Sequence, residues 1–390
     1  MSIVLSGNWN YPTRVWSGPG RIADLAKACA LAGITRPLVV TDKGLADSAI
    51  IAKVCAVLEA AGLAHAIFAE VQGNPVGKNV EDGTALYRGG GHDGVVAVGG
   101  GSGLDVAKAI ALLSGQNRPL WDFEDVEDWW TRADPAGIAP VVAVPTTAGT
   151  GSEVGRASVV IKEATHEKKI IFHPKMMPEV VVADPELTVG LPAHITAATG
   201  MDAFVHCFEA YCAPGFHPMA DGIALEGMRL VKDYLPRAYA DGSDIEARAQ
   251  MLAAASMGAT AFQKGLGAVH SVSHPVGAIY NTHHGLTNAI VLPHVMLFNR
   301  PAIEARMEAL ARYLGLDGHG FDAVLAWVLA FRKQLDIPDS LGAIGVPVDQ
   351  ADTIGEQAQR DPTAGTNPRA TTAADMAAIF RAAVAGMSGA

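Results

Sequence analysis

Short runs of β-branched and small apolar residues recur through the first half of the chain, separated by longer stretches with apolar residues three or four apart. Leu38-Val39-Val40-Thr41, Ala66-Ile67-Phe68-Ala69, Val95-Val96-Ala97-Val98, Val141-Val142-Ala143-Val144 and Val180-Val181-Val182-Ala183 read as buried strands. Between them, Gly44 to Ala61 and Leu104 to Leu113 carry helical spacing. Strands alternating with helices predict a parallel sheet covered on both faces. After Asp184-Pro185 the pattern changes to Ala-, Leu- and Met-rich stretches, such as Ala220 to Leu235 and Ile245 to Phe262, which predict helices. The expected organisation is an α/β domain over residues 1–188 and an all-α domain over residues 189–390. The acidic run Glu124-Asp125-Val126-Glu127-Asp128 reads as a solvated loop.

Length agrees with that division, because 390 residues exceed what one hydrophobic core usually supports. With 49% hydrophobic and 18% charged residues, the composition is that of a chain that folds. The formal charge of −11 argues against nucleic acid or an anionic membrane surface as partner and leaves a small molecule. Cys29, Cys55, Cys207 and Cys212 form no C-x-x-C pair and read as reduced thiols. The N-terminal stretch Met1 to Gly7 lacks the basic flank of a signal peptide, and no apolar run reaches the ~20 residues that span a bilayer. A cytoplasmic protein is expected.

Two loops suggest a bound phosphate. Gly99-Gly100-Gly101-Ser102-Gly103 follows a strand directly and opens a helix, where glycines allow close approach and free N–H groups point outward. It is not the G-x-G-x-x-G fingerprint, since Asp105-Val106 stands where the last glycine would fall. Pro145-Thr146-Thr147-Ala148-Gly149-Thr150-Gly151-Ser152-Glu153 also follows a strand and is rich in hydroxyls. Asp42 ends another strand, placed either to accept hydrogen bonds from an adenosine ribose or to cap the helix after Gly44. A carboxylate there favours NAD and would repel the 2′-phosphate of NADP. Together these features favour a dinucleotide.

The second half suggests a metal. Of the 13 histidines, His270, His274, His283, His284 and His294 fall in one short region. Asp202 and His206 stand four apart in a helical pattern, which puts both on one face. His270 and His274 repeat that interval, and His284-Gly285 reads as a turn supplying a further nitrogen. Apolar neighbours such as Val269, Val272 and Ile279 would make an unsatisfied polar cluster costly. Three imidazoles and a carboxylate suit Fe(II), Zn(II), Co(II) or Ni(II) and disfavour Mg(II) or Ca(II). Cys207, next to His206 but about a quarter-turn round a helix, is not counted as a ligand.

Taken in order, these residues resemble the iron-containing (group III) alcohol dehydrogenase family, which includes lactaldehyde reductases and 1,3-propanediol dehydrogenases. The match runs through Gly99 to Ser102, Asp105-x-x-Lys108, Pro145 to Glu153, Asp184-Pro185 and Thr199-Gly200-Met201-Asp202. It continues through His270-x-x-x-His274-Pro275, His284-Gly285-x-x-Asn288-Ala289, Leu292-Pro293 and Asn367-Pro368-Arg369. The resemblance implies that Asp202, His206, His270 and His284 hold one ion, Fe(II) or alternatively Zn(II). It implies dinucleotide contacts from Asp42, Asn74, Gly100, Gly101, Ser102, Thr146, Thr147 and Lys169, with His274 a non-ligand histidine that relays a proton. The implied fold is a Rossmann-like domain plus a helical domain, the dehydroquinate synthase-like architecture, assembled as a homo-oligomer with the active site in the interdomain cleft.

The implied activity is hydride transfer between a primary alcohol or diol and NAD(P), the metal acting as Lewis acid. Gly103, Gly155 and His283 depart from the family pattern, and whether His283 supports the ligands or faces substrate stays open. A dehydroquinate synthase-like lyase would need a basic pocket, and no such cluster flanks the ligands. A zinc-using relative of glycerol dehydrogenase would have fewer protein ligands than this set.

Overall fold

The computed structural model describes residues 13–387, and the chain divides into two compact units between Gly190 and Leu191. Met1 to Gly7 lie outside the described residues. In the first unit, six parallel strands form one sheet: β1 (Arg14–Ser17), β2 (Pro37–Asp42), β3 (Ala66–Val71), β4 (Gly94–Gly99), β5 (Val141–Pro145) and β8 (Val180–Ala183). A separate antiparallel pair consists of β6 (Ala157–Lys162) and β7 (Glu167–Phe172). The helices of this unit are α1 (Leu25–Leu31), α2 (Ala49–Ala60), α3 (Gly77–Gly90) and α4 (Gly101–Leu113).

All five expected strands are present; the apolar runs of β2, β4, β5 and β8 are buried from end to end, whereas β3, at the sheet edge, buries only Phe68 and Val71. Val39, Val96, Val98, Val142, Val144, Val180 and Val182 form one core with Ile22, Leu25, Val54 and Leu58. Each such side chain contributes roughly 1.5–3 kcal/mol when taken out of water. The strand order is β1-β8-β5-β4-β2-β3, so the winding direction reverses between β2 and β4. In open sheets of this kind, ligands bind outside the carboxyl ends of the strands at that reversal.

Five elements of this unit were not legible in the pattern, among them α1, which is only seven residues long. β1 is a four-residue edge strand whose residues stay largely exposed, so no apolar run marks it. α3 holds four glycines, which weakens the helical signal. The β6–β7 pair lies outside the main sheet, and its apolar runs are broken by lysines. The helix expected from Gly44 begins only at Ala49, where Ser48 caps it by accepting from Ile51 N at 3.4 Å. The acidic loop is exposed from Asp125 to Asp128, whereas Glu124 is drawn inward by an ion pair with Lys162 at 2.8 Å.

The antiparallel pair is tied to α4 by two side chains one turn apart. Asp105 accepts from Ser152 Oγ at 2.5 Å and from Val159 N at 2.8 Å. Lys108 is fully buried and donates Nζ to the carbonyls of Ser152 at 3.0 Å, Gly155 at 3.4 Å, and Ala157. Burial pushes its pKa down, and Asp105, with Nζ at 3.4 Å, opposes that. The Asp105-x-x-Lys108 motif is therefore a brace between the glycine-loop helix and the polar loop after β5.

The second unit is helical: α5 (Ala193–Cys212), α6 (Pro218–Ala240), α7 (Ile245–Ala261), α8 (Ala268–Tyr280), α9 (His284–Leu314), α10 (Gly320–Gln334), α11 (Ala351–Arg360) and α12 (Ala373–Ala385). Helix starts follow capping chemistry: His217 caps α6, Asp244 caps α7, and Thr372 forms a capping box with Asp375 at α12. α5 packs against α6, α7 and α9 at the centre of this unit. Cys207 fills the space left by Gly227 and Gly258, and burial pushes its thiol up to about 12. Among the described residues, no helix is long and apolar enough to cross a membrane.

Lys108→Met keeps the length of the side chain but leaves three carbonyls and the Asp105 carboxylate without their cation. Breaking a buried pair from one side costs about 3–5 kcal/mol. The expected result is a clearly lower urea midpoint, and an unchanged midpoint would show that the brace carries no stability.

Candidate active site

In the first unit, the predicted cofactor residues gather at the reversal of strand order. Asp42 ends β2, and Gly100 caps α4 immediately after β4, with no side-chain cap on the first-turn amides. Those amides, on Gly101, Ser102 and Gly103, are free to meet an anion. Thr146 and Thr147 follow β5, the neighbouring strand, and Thr146 N donates to Gly99 O at 3.0 Å, which closes the two loops together. Asp42 Oδ1 accepts from Leu45 N at 3.2 Å, so the carboxylate shapes the turn after β2, while the helix cap is Ser48. Burial pushes the Asp42 pKa up, and the backbone bonds of Gly44 and Leu45 oppose it.

Two predicted contacts sit elsewhere. Asn74 follows β3, at the carboxyl end of the edge strand, with a left-handed φ of 50°. Lys169 lies on β7, paired with Glu167 at 2.8 Å. It belongs to the two-stranded sheet and not to the loops of the main one.

In the second unit, three helices bring Asp202, His206, His270 and His284 together, with one donor atom from each lying within 4.8 Å of the others. Asp202 and His206 lie on α5, His270 on α8, and His284 is the first residue of α9. Measured from Asp202 Oδ1, the Nε2 atoms of His284, His206 and His270 stand at 3.7, 3.9 and 4.0 Å. Nitrogen and oxygen donors sit ~2.1 Å from a small divalent transition metal, so neighbouring donors of a tetrahedral set are about 3.4 Å apart. The three separations are a few tenths of an ångström wider than that, close enough for small side-chain movements to bring the donors onto one ion. Asp202, His206 and His270 are buried, and His284 is part-exposed, which leaves one side through which a small molecule can approach.

The His284-Gly285 turn expected from the sequence is instead the start of a long helix. His283 caps it, its Nδ1 accepting from Leu286 N at 3.4 Å, which gives this departure from the family pattern a structural role. Gly285 makes the approach of α9 to α5 possible. A Cβ built there would lie 2.3 Å from Ala198 O and 3.0 Å from the Cβ of Asp202. Any side chain at 285 would push His284 away from its partners.

His274 sits one turn after His270 on α8, its ring stacked on that of His284 with centroids 5.4 Å apart. Its Nδ1 bonds Asp361 Oδ2 at 2.7 Å. Asp361 is held in turn by Thr363, through the backbone N at 2.9 Å and Oγ1 at 2.6 Å. Burial pushes the Asp361 pKa up, but His274 and the Thr363 bonds outweigh it and hold the carboxyl below its ordinary range.

Several groups that build this site were missed by the sequence reading. Glu209, on α5 three residues after His206, accepts from Val269 N at 2.7 Å and bonds His270 Nδ1 at 2.5 Å. Burial pushes the His270 pKa down, but Glu209 and Asp202 bring it above its ordinary value. Asn288, fully buried and one turn after His284, donates Nδ2 to Asp202 Oδ1 at 2.7 Å. Asn367 accepts from Ala268 N at 3.1 Å and so anchors the first turn of α8. The signal for Glu209 was present: an acid continuing the Asp202–His206 face through an otherwise apolar stretch. Asp361 carried no such signal, being 87 residues from His274.

Known proteins match along nearly the whole chain. The profile of the iron-containing alcohol dehydrogenases matches residues 12–185, and that of the C-terminal part of the Fe-containing alcohol dehydrogenase family matches residues 196–384. A 4-hydroxybutyrate dehydrogenase of Cupriavidus necator is 41% identical over 94% of this chain and 96% of its own length. An NAD-dependent methanol dehydrogenase of Bacillus methanolicus is 35% identical over 97% of this chain and 100% of its own. The crystal structure of a 1,3-propanediol oxidoreductase superposes with a TM-score of 0.91 at 35% identity, covering 96% of this chain and 99% of that one.

Gly285→Ala is expected to shift the first turn of α9 and separate His284 from Asp202. Overpacking of this kind costs typically 1–3 kcal/mol. The measurable result is a lower melting temperature together with weaker Co(II) binding, followed by visible absorption. Wild-type Co(II) binding in the variant would contradict the steric argument.

Proposed function

Because the chain belongs to the iron-containing alcohol dehydrogenase family, we propose that it interconverts short primary alcohols or diols and their aldehydes, with NAD as hydride carrier and one Fe(II) as Lewis acid. The convergence of one carboxylate oxygen and three imidazole nitrogens is the observation that carries this reading. Such a donor set suits a divalent transition metal and not Mg(II) or Ca(II). The substrate class follows the relatives named for methanol, 1,3-propanediol and 4-hydroxybutyrate, each of which bears a primary hydroxyl.

In this reading Asp202, His206, His270 and His284 hold the ion, residues 189–390 forming the metal domain and residues 1–188 the cofactor domain. An ion held there supplies Lewis acidity toward an alcohol or aldehyde oxygen, and the nicotinamide supplies the hydride carrier. The chain's own residues do the rest. The N-cap Gly100 and the first-turn residues Gly101 and Ser102 offer backbone amides to the pyrophosphate, and Thr146 and Thr147 line the adjoining loop. Asp42, at the carboxyl end of β2, is placed to accept from ribose hydroxyls and favours NAD over NADP. Asn74 and Lys169 are assigned to the cofactor by the family resemblance. His274 takes or gives the alcohol proton at Nε2, since Asp361 engages Nδ1 and fixes the ring. Four free thiols support a reducing, cytoplasmic setting, and the family resemblance supports a homo-oligomer.

The test is a panel of short alcohols, diols and aldehydes with NAD or NADP, run on protein reconstituted anaerobically with Fe(II) or Zn(II). Turnover of a primary alcohol with NAD is expected, lost on chelation and restored by the metal. His270→Ala should retain no stoichiometric metal and no activity. Full activity after chelation would exclude the metal role.

A further inference from the structure

The acid that follows the ligands on α5 does not point at an ion. Glu209 is only 4% exposed, yet its carboxylate is aimed at the back of His270. We infer that Glu209 is a positioning residue of the metal centre: it fixes the His270 ring from behind and supplies the second negative charge that balances a divalent ion. This rests on the proposed ligand set.

The geometry supplies the reason on both counts. Glu209 Oε2 lies 2.5 Å from His270 Nδ1, and Oε1 accepts the backbone N–H of Val269 at 2.7 Å. One carboxylate therefore holds both the imidazole and the helix turn that carries it. With the proton on Nδ1 shared toward Glu209, the lone pair of Nε2 faces Asp202 Oδ1, 4.0 Å away. A carboxylate behind a ligating histidine orients the ring and strengthens it as a donor. Gly267 keeps this contact open, because a Cβ built there would lie 2.9 Å from both Glu209 Oε1 and Asn367 Oδ1.

Charge explains why an acid stands here and not an amide. Asp202 and Glu209 are the two buried carboxylates beside His270, and Asp361 is engaged by His274 instead, so two acids face the donor set in a place where unpaired charge is costly and a divalent cation offsets them. A glutamine could still accept from Nδ1 through its carbonyl but would leave one positive charge unbalanced. A shorter acid would keep the charge and lose the reach.

Metal-free wild type, Glu209→Gln and Glu209→Asp are titrated with Co(II) against a competing chelator, following the visible ligand-field bands. Wild type is expected to bind one Co(II) per chain. Loss of an outer partner typically weakens metal affinity 10–100-fold, and that range is expected for Glu209→Gln, with the visible bands retained in position. For Glu209→Asp, weaker binding with displaced bands is expected, because the ring is no longer held. Affinity within threefold of wild type and an unchanged spectrum in both variants would overturn the inference. A wild type that binds no Co(II) would overturn the ligand set itself. Melting of the metal-free proteins reports whether each variant folds, and if Glu209→Gln does not, Glu209→Asp alone decides.

Discussion

One carboxylate and three imidazoles, carried by three helices, meet with their donor atoms within 4.8 Å of one another in a largely apolar interior. Polar groups gathered there without a shared partner would cost several kcal/mol, so the rest of this unit has to hold the arrangement in place. α5 contributes two donors because Asp202 and His206 are one turn apart. α8 is brought to it by Glu209 and Asn367, which take the first N–H groups of that helix. α9 can start beside Asp202 only because residue 285 has no side chain. The devices that position α8 and α9 are thus contacts to backbone and an absence of bulk, made by residues that touch no ion in the proposed scheme.

The same economy governs the first unit. The glycine loop, the polar loop after β5 and Asp42 come together because β5, β4 and β2 are neighbours in the sheet. Asp105 and Lys108 then brace the helix behind the glycine loop against the antiparallel pair. Asp184 does similar work further along, accepting from Gly20 N at 3.2 Å and Ile22 N at 3.0 Å. Several motif residues are thus carriers of geometry, with the chemistry proposed for only a few.

What the sequence disclosed depended on how local the cause was. The four central strands, β2, β4, β5 and β8, were legible because a continuous apolar run has one comfortable place, the middle of a parallel sheet, and β3 was legible from a shorter apolar run although it lies at the edge. The donor cluster was legible only in part: the Asp202–His206 interval translates directly into one helix face, but the equal His270–His274 interval does not single out His270 and His284, which only the family resemblance implied. β1 escaped because an edge strand need not be apolar, and α3 because glycines mask its periodicity. Asp361 and Asn367 act across 87 and 99 residues, distances over which no spacing rule reports contact. His283 stands out in the sequence but its capping role does not, since a histidine cap is defined by the backbone that it meets.

The most direct measurement is anomalous scattering at the iron edge from crystals of protein loaded anaerobically with Fe(II). A single strong peak within bonding distance of Asp202, His206, His270 and His284, and nowhere else in the chain, is the result expected. A peak that omits any of the three histidines, or that lies away from α5, would contradict the account.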